Sequence, residues 1–305
     1  IKQALMRKLI FGLRPADTVT IIFLLFFTAM TIFFYQNVPK ASFLIRTYVV
    51  LIVTQLVIIR FKNRGNVIGF FYDLIFPTLC VMIIFDSLGG LVHYINPKDV
   101  DPELIKLDYM IFNGHPTVML EKIMSPLLTD ILQVAYTTYY FIPVCFGAII
   151  LMKNRREDFN RTLFMILLCF YLSYIGYILM PAVGPRFTID HLQNAELRGL
   201  FIAEPIQNFL NKLEGIKRDA FPSGHTAIPL VVLYLAYRFK RRLFWILLPI
   251  VAALIFSTVY CRYHYVVDII AGFGLAFLTI FLGEKYYDWW LKRNSECIPR
   301  NLLRG

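Results

Sequence analysis

Apolar residues in this chain gather into unbroken runs separated by short polar connections. The runs fall at about Val19 to Tyr35, Ser42 to Ile59, Val67 to Ile95, Leu127 to Met152, Leu163 to Met180, Thr226 to Phe239, Leu243 to Cys261 and His264 to Leu282. A helix needs about 17–25 apolar residues to cross a bilayer core. Most of the runs meet that length; the Thr226 run is short and gains its first turn by starting at Ser223. The pattern predicts an all-α integral membrane protein of about eight transmembrane helices. An even number places both termini on one face. Two long polar stretches remain, Asn96 to Ser125 and Ala182 to Pro222.

Composition agrees: 58% of the 305 residues are hydrophobic, against about 45–50% in a soluble domain. Most of the 31 lysines and arginines lie on the face of the termini, among them those of "RFKNRG" and "RFKRR". Cytoplasmic loops carry such an excess, so that face is expected in the cytoplasm and the two long loops outside it. The net charge of +11 is then explained by topology and by contact with anionic lipid, with no nucleic acid required. The N-terminus has a basic region before an apolar one but no small-residue cleavage site, which reads as a retained first helix. Five cysteines without CxxC pairing suggest packing residues and no disulfide framework.

No internal repeat appears, and the chain divides into N-terminal helices over 1–95, a membrane core over 96–285 and a cytoplasmic tail over 286–305. Within the first long loop, Leu104, Ile105, Leu107, Met110 and Ile111 mark an amphipathic portion expected to lie at the bilayer surface. His115, between Gly114 and Pro116, reads as a turn residue.

Three pieces converge on the outward edge: "PAVGPRF", "KRDAFPSGHT" and "CRYHYVVD". His264 and Asp268 are four apart, so on a helix the carboxylate reaches one imidazole nitrogen and leaves the other as a nucleophile. Pro222 and Ser223 look like a helix start, where free backbone N–H groups, those of Ser223 and Gly224, suit an anion. His225 falls in that first turn. Arg186, Lys217, Arg218 and Arg262 add positive charge, and phosphate is the natural occupant. Phosphoryl transfer needs neutralised oxygens, an in-line nucleophile and an acid for the leaving oxygen; the cations, His264 and His225 are the candidates. A metal site built from His225, His264, Asp268 and His191 is disfavoured, because clustered cations repel a divalent ion.

"PSGH" at Pro222 to His225 and "HYVVD" at His264 to Asp268 resemble the second and third motifs of the type 2 phosphatidic acid phosphatase superfamily. The resemblance covers roughly Leu104 to Glu284. It implies a core of six helices and metal-independent, cofactor-free catalysis, with His264 forming a phosphohistidine, Asp268 orienting it and His225 protonating the leaving group. Two departures stand out. The third motif's Arg, expected six before the His, is replaced by Thr258, with Arg262 two before it, and "GPRF" stands where a Lys/Arg-Pro first motif is usual. Together with "LDYMIFNGHP" and "LLTDILQVAYTTYY", this is similar to the branch of inositol phosphorylceramide synthases and their bacterial relatives. The resemblance implies a lipid phosphate or phospholipid substrate. With water as acceptor the protein is a lipid phosphate phosphatase, the reading preferred for a small chain; with a ceramide or diacylglycerol hydroxyl it is a head-group transferase. A protein that only binds or transports lipid phosphates would leave the His–Asp pair without a task.

The charge pattern generates a test of topology. In sealed, oriented membranes, Gln193→Cys should react with an impermeant thiol reagent applied from the outer side and Arg241→Cys should not; the opposite pattern would invert the orientation.

Overall fold

The computed structural model describes residues 13–62, 65–153, 155–214 and 218–297. The long helices are α1 (Pro15–Phe33), α2 (Ala41–Phe61), α3 (Asn66–Leu88), α5 (Pro126–Met152), α6 (Arg156–Leu179), α9 (Arg241–Tyr260) and α10 (Val266–Cys297). All seven are long and apolar enough to cross a membrane. An eighth, α8 (Gly224–Phe239), has only 16 residues, about 24 Å of helix. It is enclosed by α5, α6, α9 and α10 and so depends on protein packing more than on lipid matching. Two further helices, α4 (Asp101–Phe112) and α7 (Ala203–Glu214), lie in the long connections. Among the described residues there is no β-strand, and one isolated bridge joins Ala182 to Asp219.

The chain is therefore an all-α, multi-pass integral membrane protein. Helix α6 is the most buried of the seven spans and α2 the least. Around α6 pack α5, α8 and α10 on one side and α1 and α3 on the other, with α2 held mainly by α1. Apolar side chains such as Val50, Trp245 and Phe277 are exposed on the perimeter, as a hydrocarbon surround permits. Buried Tyr171, Tyr174 and Tyr177 run down α6. Tyr171 donates to Thr20 Oγ1 and Tyr174 to the Val81 carbonyl, which satisfies hydroxyls that burial would otherwise make costly.

Several helix limits differ from those the hydropathy pattern predicts. The Val67 to Ile95 run ends as a membrane helix at Leu88, and Val92–Ile95 forms a separate turn. Helices α6 and α10 extend beyond the apolar runs at the end of the bundle away from the long connections, and α10 continues unbroken past residue 285. The reason is charge. Arg161 on α6 is buried and reaches Glu284 and Asp288 on α10, the latter at 2.9 Å, while Arg238 from the end of α8 also meets Glu284. Beside them, Arg14 binds Asp17 and Asp73 at 3.1 and 2.8 Å, and Arg156 joins Asp73.

At the other end of the bundle, capping groups hold the connections. Ser125 and Ser223 cap α5 and α8, each accepting the N–H three residues on. Asp130 on α5 accepts the backbone N–H groups of Leu200, Phe201, Ile202 and Ala203 at 2.8–3.3 Å, the three residues that lead into α7 and its first residue. That single carboxylate anchors α7. Cys80, Cys145, Cys169 and Cys261 are free thiols, and Cys297 is at the edge of the described residues.

Candidate active site

The three chemistry-bearing pieces meet through backbone contacts. Ala220 N–H donates to the Ala182 carbonyl at 3.0 Å, and Ser223 N–H to the Asp268 carbonyl at 3.1 Å. Gly184 has φ +96°, and a Cβ there would stand 2.7 Å from the Tyr263 carbonyl oxygen; only glycine lets this loop lie against the third motif. Gly272 does the same between α10 and α8, where a Cβ would come within 2.8 Å of the Ser223 carbonyl oxygen. At Thr258, where the family motif has Arg, the backbone carbonyl accepts the N–H groups of Tyr263 and His264 at 2.8 and 3.0 Å. It closes the turn that presents His264.

His264 and Asp268 are almost wholly buried. His264 Nδ1 lies 3.3 Å from Asp268 Oδ2, which also accepts the Tyr265 N–H at 2.9 Å. Donation from Nδ1 to the carboxylate fixes the tautomer and leaves a lone pair on Nε2. That nitrogen faces His225 Nδ1 at 3.2 Å. His225 stacks on Tyr136, with centroids 4.6 Å apart, and lies 4.0 Å from the ring of Tyr139. Tyr136 stacks in turn on Tyr263 at 4.1 Å, and Gln133 amide nitrogen donates to the Tyr263 hydroxyl. The stretch "LLTDILQVAYTTYY" marks this part of α5 by resemblance, but the sequence does not show that its tyrosines wall His225. Tyrosine in an apolar run looks like ordinary membrane packing.

Both histidines open on a cleft of about 30 Å³, lined also by Tyr136, Tyr263, Arg186 and Asp219. The Arg186 guanidinium lies 5.0 Å over the Tyr263 ring and 4.6 Å over that of Phe187, a placement that limits its swing. Asp219 was also missed; its only sequence signal is that it precedes "AFPSGH" by one residue.

The remaining expected phosphate ligands are placed differently. Arg262 has φ +66° and does not line the cleft. Its Nη2 donates to Glu121 at 2.9 Å and to the Ala195 carbonyl at 2.6 Å. Burial lowers its pKa, with Glu121 opposing. Arg218 donates to Asp99 at 2.6 Å. Lys217 lies outside the described residues. The N–H of Ser223 is committed to the Asp268 carbonyl, and Gly224 lies so close to the Tyr177 hydroxyl that a Cβ there would stand 2.5 Å from it, so these two residues tie α8 to its neighbours. His191 is exposed beside Asp190, away from the other two histidines. Among the described residues, no three His, Cys, Asp or Glu side chains are grouped to hold a metal ion.

The sequence profile of the PAP2 superfamily matches residues 102–282. A phosphoinositol dihydroceramide synthase from Bacteroides thetaiotaomicron is 26% identical over 181 residues, 52% of this chain and 55% of that protein. A PA-phosphatase related-family protein from Dictyostelium discoideum is 24% identical over 186 residues, 54% of this chain and 34% of its own length. The matched region thus spans about half of one relative and a third of the other. No solved structure matches the chain.

The two arginines nearest the motifs make different predictions. Arg186→Lys should lower turnover by about thirtyfold to several hundredfold, since losing a forked contact to a transition-state phosphoryl group costs roughly 2–4 kcal/mol. Arg262→Lys should cost far less turnover and show itself as a lower melting temperature, because its Nη2 holds Glu121 and the Ala195 carbonyl. Steady-state rates and thermal unfolding of both variants decide; equal losses of turnover would return Arg262 to the phosphate.

Proposed function

From the chain's membership of the PAP2 superfamily, whose members are enzymes, we propose that it is a lipid phosphate phosphatase working through a phosphohistidine at His264. One observation carries the reading. A histidine bound through Nδ1 to a buried carboxylate turns its other nitrogen to a second histidine 3.2 Å away, and both border an Arg-bearing cleft.

The chemistry follows from that arrangement. The lipid phosphate enters between the imidazoles and replaces their mutual hydrogen bond. His264 Nε2 attacks phosphorus, Asp268 stabilises the positive charge that develops on the ring, and Arg186 neutralises the equatorial oxygens. As the P–N bond forms, the bond from phosphorus to the lipid oxygen breaks, and a proton on His225 passes to that oxygen. His225, now neutral, takes a proton from water, whose oxygen displaces His264 and releases phosphate. Each displacement is in line. The concentration of paired arginines at the opposite end of the bundle supports a non-cytoplasmic site.

A second reading is favoured by the relative named a phosphoinositol dihydroceramide synthase. The acceptor in the second displacement is then an alcohol in place of water, and the enzyme a head-group transferase.

His264→Ala should reduce turnover of lipid phosphates to less than about a tenth of wild type, and much further if no other nucleophile substitutes. Wild-type activity should survive EDTA and be blocked by vanadate, which mimics five-coordinate phosphorus. Substantial activity in His264→Ala, or loss in EDTA restored by a divalent metal, would contradict the mechanism. Release of free phosphate in the presence of ceramide or diacylglycerol separates the two readings: a phosphatase releases it undiminished, whereas a transferase diverts the head group to the added lipid.

A further inference from the structure

Helix α4 belongs to none of the three motifs, and its sequence reads as a surface helix. Its buried side is nevertheless Asp101, Leu104 and Asp108, one residue per turn, while Leu107, Met110 and Ile111 are exposed. Both carboxylates are at most 3% exposed and reach the catalytic pieces. Asp108 accepts the N–H of Val266 through Oδ2 at 3.0 Å and that of Val267 through Oδ1 at 2.9 Å. These are the first two residues of α10. Asp101 accepts the N–H groups of Gly184 and Val183 at 2.8 and 2.9 Å, and the Tyr265 hydroxyl at 2.9 Å. One helix thereby holds the loop of Arg186 and the turn of His264.

The start of α10 has no capping side chain of its own for these two donors, since His264 and Asp268 are engaged with each other and with Tyr265 N–H. Burial raises the Asp108 carboxyl above the ordinary range, and the two N–H groups oppose that rise. A buried carboxylate accepting two N–H groups resists displacement, because moving it strands three polar groups. His264 lies two residues before Val266. The pitch of the first turn of α10 therefore sets where its imidazole stands relative to His225.

We propose that Asp108, supported by Asp101, is a positioning residue for phosphoryl transfer: it caps α10 and so fixes the distance and angle between His264 and His225. Asp108 touches neither substrate nor the reacting atoms. The inference rests on the phosphohistidine reading above.

The test compares Asp108→Asn, Asp108→Ala, Asp101→Asn, Glu103→Gln and His264→Ala as full chains in detergent, on a short-chain phosphatidate. Active sites are counted by vanadate-protected labelling, so that kcat refers to folded enzyme only. Asp108→Ala should lower kcat per site by about ten- to hundredfold, the scale of a misplaced reacting group, with KM changed less than about threefold. Asp108→Asn keeps one acceptor oxygen and should recover part of the loss; Asp101→Asn should lower kcat less. Glu103→Gln, on the exposed side of α4 beside Lys98, should match wild type. An unchanged kcat per site in Asp108→Ala, a change in KM alone, or no gain from Asn over Ala would overturn the proposal. The phosphohistidine reading fails separately, if His264→Ala remains active. If Asp108→Ala does not fold, the isosteric Asp108→Asn carries the test: wild-type kcat in it overturns the proposal.

Discussion

The contact between His264 Nε2 and His225 Nδ1, 3.2 Å long, constrains everything around it. Two imidazoles at that distance cannot both be charged without strong repulsion, and neither can be buried without partners. The solution lies in the neighbours. Asp268 accepts from His264 at full burial, tyrosine rings from α5 surround His225, and the carbonyl of Asp268 ties α10 back to Ser223 on α8. The close approach at Gly272 makes that tie possible. A side chain there would push α8 and α10 apart and separate the histidines with them.

The two ends of the bundle use different polar devices. Away from the site, arginines pair with carboxylates across helices: Arg14 with Asp17 and Asp73, Arg156 with Asp73, Arg161 with Glu284 and Asp288. Arg14, Asp17, Asp73 and Arg161 are buried, and removing the partner of such a group leaves an uncompensated charge, so these contacts fasten α1, α3, α6 and α10 in one arrangement. At the site end, the carboxylates of Asp101, Asp108 and Asp130 bind backbone N–H groups of loops and helix starts. Arginines pair at this end too, Arg218 with Asp99 and Arg262 with Glu121, while Arg186 borders the cleft.

Much of this was legible in the sequence, for identifiable reasons. Hydropathy marks seven of the eight long helices almost by length alone, and the i, i+4 spacing of His264 and Asp268 is enough to place them on one turn. Helix ends were less legible where charged residues continue a helix past the apolar run, as at Arg161 and Glu284, because pairing across helices is not visible in either segment. Arg262 stands two residues from His264 in sequence, yet its left-handed backbone and its bonds to Glu121 and Ala195 carry its guanidinium elsewhere. Asp108 and Tyr136 stand in stretches that mark the family branch, but their tasks were hidden for the same reason: their partners lie 158 residues away at Val266, or 89 away at His225. No local pattern reports such a contact.

The central claim is that phosphorus is bonded to His264 during turnover. The direct measurement is rapid quenching of enzyme with lipid phosphate labelled on phosphorus, followed by peptide mapping of the covalent label. An acid-labile, alkali-stable phosphoramidate on the peptide containing His264, present in wild type, formed and consumed at the rate of turnover and absent from His264→Ala, is the predicted result. Label on any other residue that appears and decays at the rate of turnover would contradict it.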